Sequence, residues 1–216
     1  MIRALADRGL SLRGDGPEFW SEAKPAADSP EIACWLGEAR GIDVAALNLN
    51  GVEALRWHPQ CPLGRERVPA MVALMTGAVT NEPVGIHRTF LKRDGSAKAD
   101  VPWPRMMLGK AGVITLSHDE DIALGLGIAE GIETALAVMA NFRWCPIWAC
   151  GSLNMLANFP VLNGIEYLTV FADGKPHEIA GAYECAERWV NSGREAEVKM
   201  TDGAGDFNDV LIRGAS

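Results

Sequence analysis

The pattern of apolar and polar residues changes once along this chain of 216 residues, at about Ile122. Beyond that point, short apolar runs of strand length alternate with segments whose apolar residues recur at helical spacing. The clearest helix follows Glu130, with apolar residues at i, i+3, i+4 and i+7: Ile132, Ala135, Leu136 and Met139. Four strands that alternate with helices predict an α/β fold with a four-stranded, mostly parallel sheet and helices on both faces.

The polypeptide before this sheet has a different character. Its first 28 residues are rich in Gly, Pro and charged residues, which indicates an arm or linker with at most one helical turn. Pro30 and Glu31 then open an amphipathic helix that Gly41 ends, and strand-like runs follow at residues 70–77 and 84–91. We therefore predict three parts: an arm at 1–28, a small α+β lobe at 29–118 and the α/β domain at 119–216.

Charge divides the chain in the same way. The net charge of −8 argues against a generally basic nucleic-acid-binding protein, but residues 56–110 carry nine Lys or Arg and four Asp or Glu, a local balance of +5 that leaves −13 for the remainder. A basic lobe beside an acidic domain is typical of a protein that binds a polyanion with one part and divalent cations with the other. Charge alone is equally consistent with an ordinary solvated surface.

Several classes of protein are disfavoured by simple counts. No apolar run approaches the roughly 18 residues that a membrane-spanning helix needs, and no signal peptide begins the chain, so we expect a cytoplasmic protein without membrane contact. Five cysteines, none in a CxxC pair, argue against a disulfide framework. His58 and Cys61 are too few ligands for zinc, and we expect no zinc. We interpret His58 and His87 as core or turn residues.

Acidic residues end three of the four predicted strands. Glu130 follows the first strand, Asp173 the third and Asp202 the fourth, with Asp206 and Asp209 close behind. Ligands of such sheets bind at the carboxyl ends of the strands, and carboxylates that converge there repel one another unless a cation, most often Mg²⁺, neutralises them. The structural alternative is that Glu130 belongs to the first turn of a helix and that Asp206 is an N-cap.

Three motifs in this domain carry a resemblance to a known family. They are GIAEGIETALAV at residues 127–138, VFADGKPHEIAG at 170–181 and GAGDFNDVL at 203–211. In this order and spacing they resemble the Toprim domain of primases, topoisomerases and some nucleases. The resemblance is strongest to the primases of plasmids, phages and integrative elements, whose motifs are EGIETAL, ADxD, an AG-A-A-RW helix and DFND. It covers about residues 120–213 and implies a Toprim-like sheet.

A weaker resemblance extends into the basic lobe. VGIHRTFL, DGSAKA and PRMMLG resemble the region before Toprim in these primases, where an arginine and a lysine face the template and the nucleotide. The matching candidates are Arg88 and Lys98, with Arg105 and Lys110 in support. The alternative for each is a solvated basic side chain. Trp57 and Trp103 are candidate stacking surfaces for bases, although tryptophan belongs more often to the core.

The resemblance also implies a mechanism. Glu130 would act as general acid or base at the reacting hydroxyl or phosphate, while Asp173 and the residue two positions later would hold Mg²⁺ or Mn²⁺ against the phosphates of a nucleotide. Further candidate metal ligands, beside Glu130 and Asp173, are Asp202, Asp206 and Asp209. The implied partners are single-stranded DNA and nucleoside triphosphates. Because the sequence contains neither the family's zinc ribbon nor a helicase segment, we expect a catalytic core that depends on a separate helicase or zinc-binding subunit.

Residue 175 departs from the family pattern. Where the family has a second Asp, this chain has Lys175, so an ammonium replaces a carboxylate. Two unit charges about 4 Å apart interact by roughly 4 kcal/mol at an effective dielectric of about 20, so we expect one metal ion rather than two. Three explanations stay open. Glu178 or the acids at 202, 206 and 209 complete a shifted metal site; Lys175 itself replaces the second cation as a catalytic residue and binds phosphate; or catalysis is lost and a nucleic-acid-binding scaffold remains.

The sequence thus supports three hypotheses of decreasing strength. The first is a primase-like protein in the replication of a mobile element, with metal-dependent nucleotidyl transfer attenuated by Lys175. The second is a catalytically degenerate Toprim module that binds nucleic acid or regulates replication. The third is a Toprim nuclease, which ranks last because the chain lacks the accessory domain that such enzymes usually carry.

Overall fold

Two five-stranded sheets organise the chain. The structure is a computed structural model and describes residues 16–43, 47, 54–117, 121–201, 205 and 207. The strands of the first sheet are β1 (Lys24–Pro25), β2 (Leu55–Leu63), β3 (Glu66–Thr76), β4 (Pro83–Phe90) and β5 (Arg105–Gly109). They lie side by side in chain order, and each neighbouring pair is antiparallel.

Short helices cover the two faces of this first sheet. Helix α1 (Gly16–Glu22) lies over one face, where Trp20 packs with Cys61 and Phe90. Helix α2 (Pro30–Ala33) lies over the other face and widens into a π turn at Cys34–Glu38. The sequence predicted at most one helical turn before residue 29, whereas α1 has seven residues and β1 pairs with β2. Apolar packing onto the sheet orders a segment whose composition alone indicated a linker.

The second sheet is the predicted α/β sheet. Its strands are β6 (Ile114–Thr115), β7 (Gly125–Ala129), β8 (Ile147–Ala149), β9 (Tyr167–Ala172) and β10 (Glu195–Met200), in the spatial order β10-β9-β7-β8-β6. Strands β7 to β10 are mutually parallel, and β6 adds an antiparallel edge. The predicted four-stranded, mostly parallel sheet is confirmed.

Helices lie on both faces of this second sheet, as predicted. They are α3 (Ile132–Phe142), α4 (Leu153–Ala157) and α5 (Pro176–Asn191). Alternate residues of a strand point to opposite faces. Accordingly Phe171 packs in the same core as Leu136 of α3, while its neighbour Val170 packs with Trp189 of α5. Ser152 caps α4 as the sequence predicted, because its Oγ accepts a hydrogen bond of 3.3 Å from the backbone N–H of Met155.

The larger apolar core joins the two sheets. Trp35 and Met71 from the first lobe pack in one cluster with Leu136 and Phe171 from the second. The backbones of Thr76 and Val113 exchange two hydrogen bonds of 2.8 Å between the lobes. The first lobe is therefore packed directly against the face of the second sheet that carries α3.

Strand β2 is the main element that the sequence pattern did not reveal. It contains Pro59 and Pro62, and a proline inside an apolar run argues against a strand because it donates no hydrogen bond to its neighbour. The structure accommodates Pro59 in a bulge, where the pairing with β3 shifts between His58 and Cys61. A strand that contains a proline can therefore lie inside the sheet when a bulge leaves the proline unpaired, so that the neighbouring strand needs no hydrogen bond from it.

Other expectations stay predictions. The terminal helix that we expect to begin at Asp206 lies outside the described residues, and the domain boundaries at 28 and 118 stay predictions. No helix in the described part of the chain is both long and apolar enough to cross a membrane.

Two glycines offer a matched test of how the first lobe is packed. Gly95 and Gly64 both have positive φ, of 75° and 60°, but a Cβ on Gly95 would collide with the backbone carbonyl of Glu31, whereas nothing lies within 4 Å of a Cβ on Gly64. We expect Gly64→Ala to lower the free energy of unfolding by about 1 kcal/mol through backbone strain alone. Gly95→Ala should lower it by about 3 kcal/mol or more, because α2 must also shift. Urea denaturation measures both, and equal losses would contradict this packing.

Candidate active site

Glu130 and Asp173 lie at neighbouring strand ends. Ala129 of β7 pairs with Phe171 of β9 in a parallel register, so the two acids follow the carboxyl ends of adjacent strands. Asp173 is held on both sides: its Oδ2 accepts a hydrogen bond of 3.3 Å from Thr134 Oγ1, and its Oδ1 accepts one of 3.3 Å from the backbone N–H of Phe207. The structure brings these two predicted residues to one edge of the sheet, as the sequence indicated.

The environment of Glu130 favours its protonated form. Burial raises the pKa of this half-buried carboxyl, and the negative charges of Glu178 and Asp173 raise it further, against the opposing charges of Arg105 and Lys175. Perturbed carboxyls in a cluster of charged groups occur often at functional sites. The catalytic role of Glu130 stays a prediction.

Lys175 forms an ion pair with Glu178 inside this cluster. The Nζ–Oε1 distance is 2.7 Å, and the lysine side chain is 58% exposed whereas that of Glu178 is 5% exposed. The hydrogen bond to Glu178 raises the pKa of Lys175, so the ammonium keeps its charge. Pro176 begins α5 directly after Lys175, and the Lys175 backbone N–H donates to the carbonyl of Asp173 at 2.7 Å. The ammonium is therefore a fixed part of the site, with its exposed side toward solvent.

The first lobe turns one face of its sheet toward these acids. His87 pairs with Met107 and Thr89 with Arg105 across β4 and β5, and Met107 packs in the core shared by the lobes. Alternation along the strands therefore directs His87 and Arg105 to the shared side, while Arg88 points to the opposite side. The charge of Arg105 acts on Glu130 in the site.

Glu133, in the first turn of α3, is under the influence of basic groups. Glu133 is buried, 8% exposed, and its Oε1 has no hydrogen-bond partner among the described residues. Although burial favours its neutral form, nearby positive charges and its own backbone N–H lower the pKa of Glu133. These charges belong to Arg105, Lys98 and Arg40, which we call the cation cluster.

Trp35 supports two members of the cation cluster. The guanidinium carbon of Arg40 lies 4.5 Å from the centroid of the Trp35 ring, and the ammonium nitrogen of Lys98 lies 5.8 Å from it. Burial lowers the pKa of Lys98, and the charges of Arg105 and Arg40 add to this effect while Glu133 opposes it. Arg40 and Lys98 therefore share one aromatic ring, and the positive charge of Arg105 acts on Lys98.

The predicted nucleic-acid and nucleotide ligands occupy different places. Lys98 and Arg105 belong to the cation cluster, but Lys110 follows the far end of β5, about 17 Å along the strand from Arg105 at a rise of about 3.3 Å per residue. Arg88 is buried, and its guanidinium donates to the carbonyls of Pro62 at 2.7 Å and Met107 at 3.4 Å. The structure thus shows Arg88 joining β2 to β5, and its contact with nucleic acid stays a prediction.

Two of the five predicted metal ligands, Glu130 and Asp173, belong to the described residues. Asp202, Asp206 and Asp209, three of the predicted ligands, lie outside the described residues. Within the described ranges, no group of three or more His, Cys, Asp or Glu side chains is placed to hold a metal ion. Glu130 and Asp173 offer carboxylate oxygens, which suit Mg²⁺. Lys175 occupies the place of a further carboxylate, so Glu130 and Asp173 fit part of a metal site, and the number of ions stays a prediction.

Sequence reasoning overlooked two polar residues around the site, Thr134 and Arg40. Thr134 lies in the first turn of α3, directly after the strand end that carries Glu130, so the predicted strand–helix junction could have indicated it. Arg40 gave no local signal, because its position depends on packing against Trp35. The tryptophans also differ from each other: Trp57 is buried in the core, whereas Trp103 is 70% exposed.

Comparisons with known sequences point to one family for the second lobe. Residues 125–216 match the Toprim domain, and residues 12–115 match a domain of unknown function (DUF7146). No curated protein matches the chain. The Toprim match coincides with the strands and helices that carry Glu130 and Asp173.

Solved structures of primases share the fold. The chain is similar to the primase fragment of the bacteriophage T7 primase-helicase protein, with 15% identity and a TM-score of 0.54 over 82% of this chain and 69% of that chain. A DNA primase domain from Pseudomonas aeruginosa has 10% identity and a TM-score of 0.55, over 91% of this chain and 74% of that chain. The RNA polymerase domain of Mycobacterium tuberculosis primase DnaG has 16% identity and a TM-score of 0.55, over 89% of this chain and 76% of that chain. At these identities the likeness establishes the fold.

The buried imidazole of His87 predicts an acid-sensitive fold. Burial lowers the pKa of His87 from 6.5 to about 4, with the charges of Arg105, Arg88 and Lys98 lowering it further and Glu133 opposing them. Between these values the unfolded chain binds a proton that the folded chain does not, so stability falls as the pH falls through this window. Between pH 7 and pH 5, His87→Gln should remove about 2 kcal/mol of that loss.

Denaturant unfolding at about pH 7 and about pH 5 measures the loss. His177→Gln is the matched control, because the His177 side chain is 65% exposed. Equal acid sensitivity of the wild type and His87→Gln would contradict the prediction.

Proposed function

Because the chain is a Toprim-domain protein with the fold of primase fragments, we propose that it is the catalytic core of a primase-type nucleotidyltransferase. The proposed template is single-stranded DNA, the substrates are nucleoside triphosphates, and the setting is the replication of a mobile element in the cytoplasm. The observation that carries the proposal is the position of two acids, Glu130 and Asp173, directly after the carboxyl ends of adjacent parallel strands. The positive charge of Arg105 from the first lobe acts on Glu130.

Glu130 is the proposed general acid or base. Primer synthesis needs a group that accepts the proton of the attacking 3′-hydroxyl, and a carboxylate whose pKa is raised is a stronger base than an ordinary one. The pKa of Glu130 is raised by burial, Glu178 and Asp173. Its backbone carbonyl accepts a hydrogen bond of 2.8 Å from Gly151, which anchors the residue to the loop after β8.

Asp173 is the proposed ligand of one Mg²⁺ or Mn²⁺ ion, together with Glu130 and acids of the segment 202–209. When bound, such an ion would neutralise charge on the phosphates of the nucleotide. Thr134 and the backbone of Phe207 orient the Asp173 carboxylate. This orientation keeps the carboxylate at the strand end, where the phosphates of a nucleotide would lie.

Lys175 attenuates metal binding in this proposal. Its ammonium is paired with the buried Glu178 and acts on Glu130 and Asp173 as a tethered positive charge. A cation fixed in this position repels a metal ion that approaches the same carboxylates. It also offers its exposed side to a phosphate group, so a single metal ion would be sufficient.

The same ion pair supports a second candidate function. If the tethered ammonium already neutralises the carboxylates, the fold is stable without a metal ion and the chain can serve as a nucleic-acid-binding or regulatory module.

The T7 neighbour is named as a primase-helicase protein, and we extend the proposal to a separate helicase or zinc-binding subunit as partner. The two functions differ in whether the isolated chain makes a primer.

Glu130→Gln tests the enzymatic proposal. Glutamine keeps the shape of the side chain but cannot transfer a proton, so primer synthesis on a single-stranded template should fall by about 100-fold or more. Affinity for single-stranded DNA, measured by fluorescence anisotropy, should stay within about twofold. Glu187→Gln on the exposed face of α5 is the control for charge. Full synthesis by Glu130→Gln would refute the enzyme, and a wild type that binds DNA without making primers would establish the binding module.

Lys175→Asp tests whether the lysine attenuates the site. We expect Mn²⁺ affinity, measured by calorimetry, to rise by about tenfold or more, and primer synthesis to rise with it, because a repelling charge becomes a ligand. Adding Glu178→Gln removes the buried acid that Lys175 neutralises and keeps the variant folded. Lower synthesis by both folded variants would show instead that the ammonium takes part in the reaction.

A further inference from the structure

Trp103 differs from the buried tryptophans of the first lobe. It is 70% exposed, whereas Trp35 and Trp57 are 2% and 3% exposed. A single exposed apolar side chain is ordinary on a protein surface and is no evidence of a site by itself. The backbone around Trp103 and the charges beside it distinguish this residue, and the reaction proposed above does not use it.

The loop that carries Trp103 is tied at both ends to Phe90, the last residue of β4. The Phe90 N–H donates to the carbonyl of Pro104 at 2.8 Å, and the Phe90 carbonyl accepts from the N–H of Ala99 at 2.9 Å. Pro104 has no N–H to donate, so the Phe90 carbonyl is available to Ala99. Two hydrogen bonds to one residue therefore close a short loop, from which Trp103 projects.

Two prolines further restrict Trp103, which lies between Pro102 and Pro104. Each proline ring fixes its own φ, and a proline also limits the residue before it to extended backbone. Binding to a flat partner would therefore order little more than the two side-chain torsions of the indole. An aromatic surface held in this way loses little conformational entropy on binding.

Basic residues surround this loop. Between residues 92 and 105 the chain carries four Lys or Arg and two Asp, a local balance of +2. Lys98 forms a β-bridge with Leu91, the residue after Phe90. Arg105 is exposed and follows Trp103 by two residues, a distance of about 7 Å along an extended chain.

An aromatic face beside positive charge matches the chemistry of single-stranded nucleic acid, which offers flat bases and negative phosphates. An apolar protein surface would match the indole but not the cations. Arg105 begins β5, and Met107 of the same strand packs in the core shared by the lobes. The loop is therefore continuous with the strand that leads to the acidic domain.

We propose that Trp103 is a stacking surface for one base of single-stranded DNA and that Arg105 binds a phosphate beside that base. The inference rests on one part of the proposed function, the binding of single-stranded DNA, which both candidate functions share. Trp103 has no part in proton transfer or metal binding, so the inference does not require that the chain makes a primer.

The test measures the dissociation constant of a labelled oligothymidylate by fluorescence anisotropy. Trp103→Leu keeps an apolar side chain and removes the aromatic face, so the dissociation constant should rise about tenfold, and Trp103→Phe should raise it about threefold. The matched control is Tyr183→Leu on α5, because Tyr183 is also aromatic and is 52% exposed. It should bind like the wild type, and circular dichroism checks the fold of each variant.

The salt dependence of binding separates stacking from charge. The slope of log K against log salt concentration counts the phosphates that the protein neutralises. Trp103→Leu should lower the affinity equally at each salt concentration and leave the slope unchanged. Arg105→Gln should reduce the slope by about 0.7, the value for one phosphate contact on a single strand.

Each outcome has a defined meaning. Wild-type DNA affinity in Trp103→Leu overturns the inference, and so does a slope for Trp103→Leu that falls as far as that of Arg105→Gln. If Trp103→Leu changes the elution volume in gel filtration but not the affinity for DNA, the indole joins copies of this chain and the inference is wrong. Binding that depends on Trp103 in a wild type that makes no primer refutes the enzyme and leaves the inference intact. A wild type that does not bind single-stranded DNA refutes both.

Discussion

The candidate site depends on how the repulsion between acids at one edge of the second sheet is relieved. A parallel sheet brings the carboxyl ends of its strands to one edge, and acids at that edge repel one another. Here the repulsion is relieved from within the chain. Lys175 pairs with Glu178 at 2.7 Å, and the charge of Arg105 in the first lobe acts on Glu130 and Glu133. The apolar core that packs Trp35 and Met71 against Leu136 holds the two lobes in this relation.

Much of the second lobe could be predicted from the sequence because its signals are local. The length of the apolar run at residues 167–172 predicted β9 with its observed bounds, and the motif EGIET placed Glu130 directly after a strand. The first lobe was harder to predict. Strand β2 contains two prolines and a bulge, and α1 is held by contacts with residues about 40 or more positions away in the sequence. Such contacts leave no periodic signal in a short window.

The candidate site shows the same limit at the level of single side chains. A motif indicated Arg88 as a ligand of nucleic acid or nucleotide, and that contact stays a prediction, whereas the side of the sheet that a residue faces depends on the pairing of β4 with β3 and β5. A shift of one residue reverses every side chain of a strand. Because Ala73 pairs with His87 and belongs to the core shared by the lobes, it is His87 that faces the acidic domain. Arg40 reaches the site only through Trp35, and that contact is tertiary.

The ion pair between Lys175 and Glu178 has a consequence for how the protein reaches its folded state. Many acidic sites must recruit an external cation before their carboxylates can be packed together, so their folding is linked to the supply of that cation. A chain that carries its own counter-ion one helical turn from the acid can close this edge of the sheet as soon as α5 forms. Maturation of the site would then be independent of the free magnesium concentration in the cell, which would act on the finished protein as a ligand and not as a folding partner.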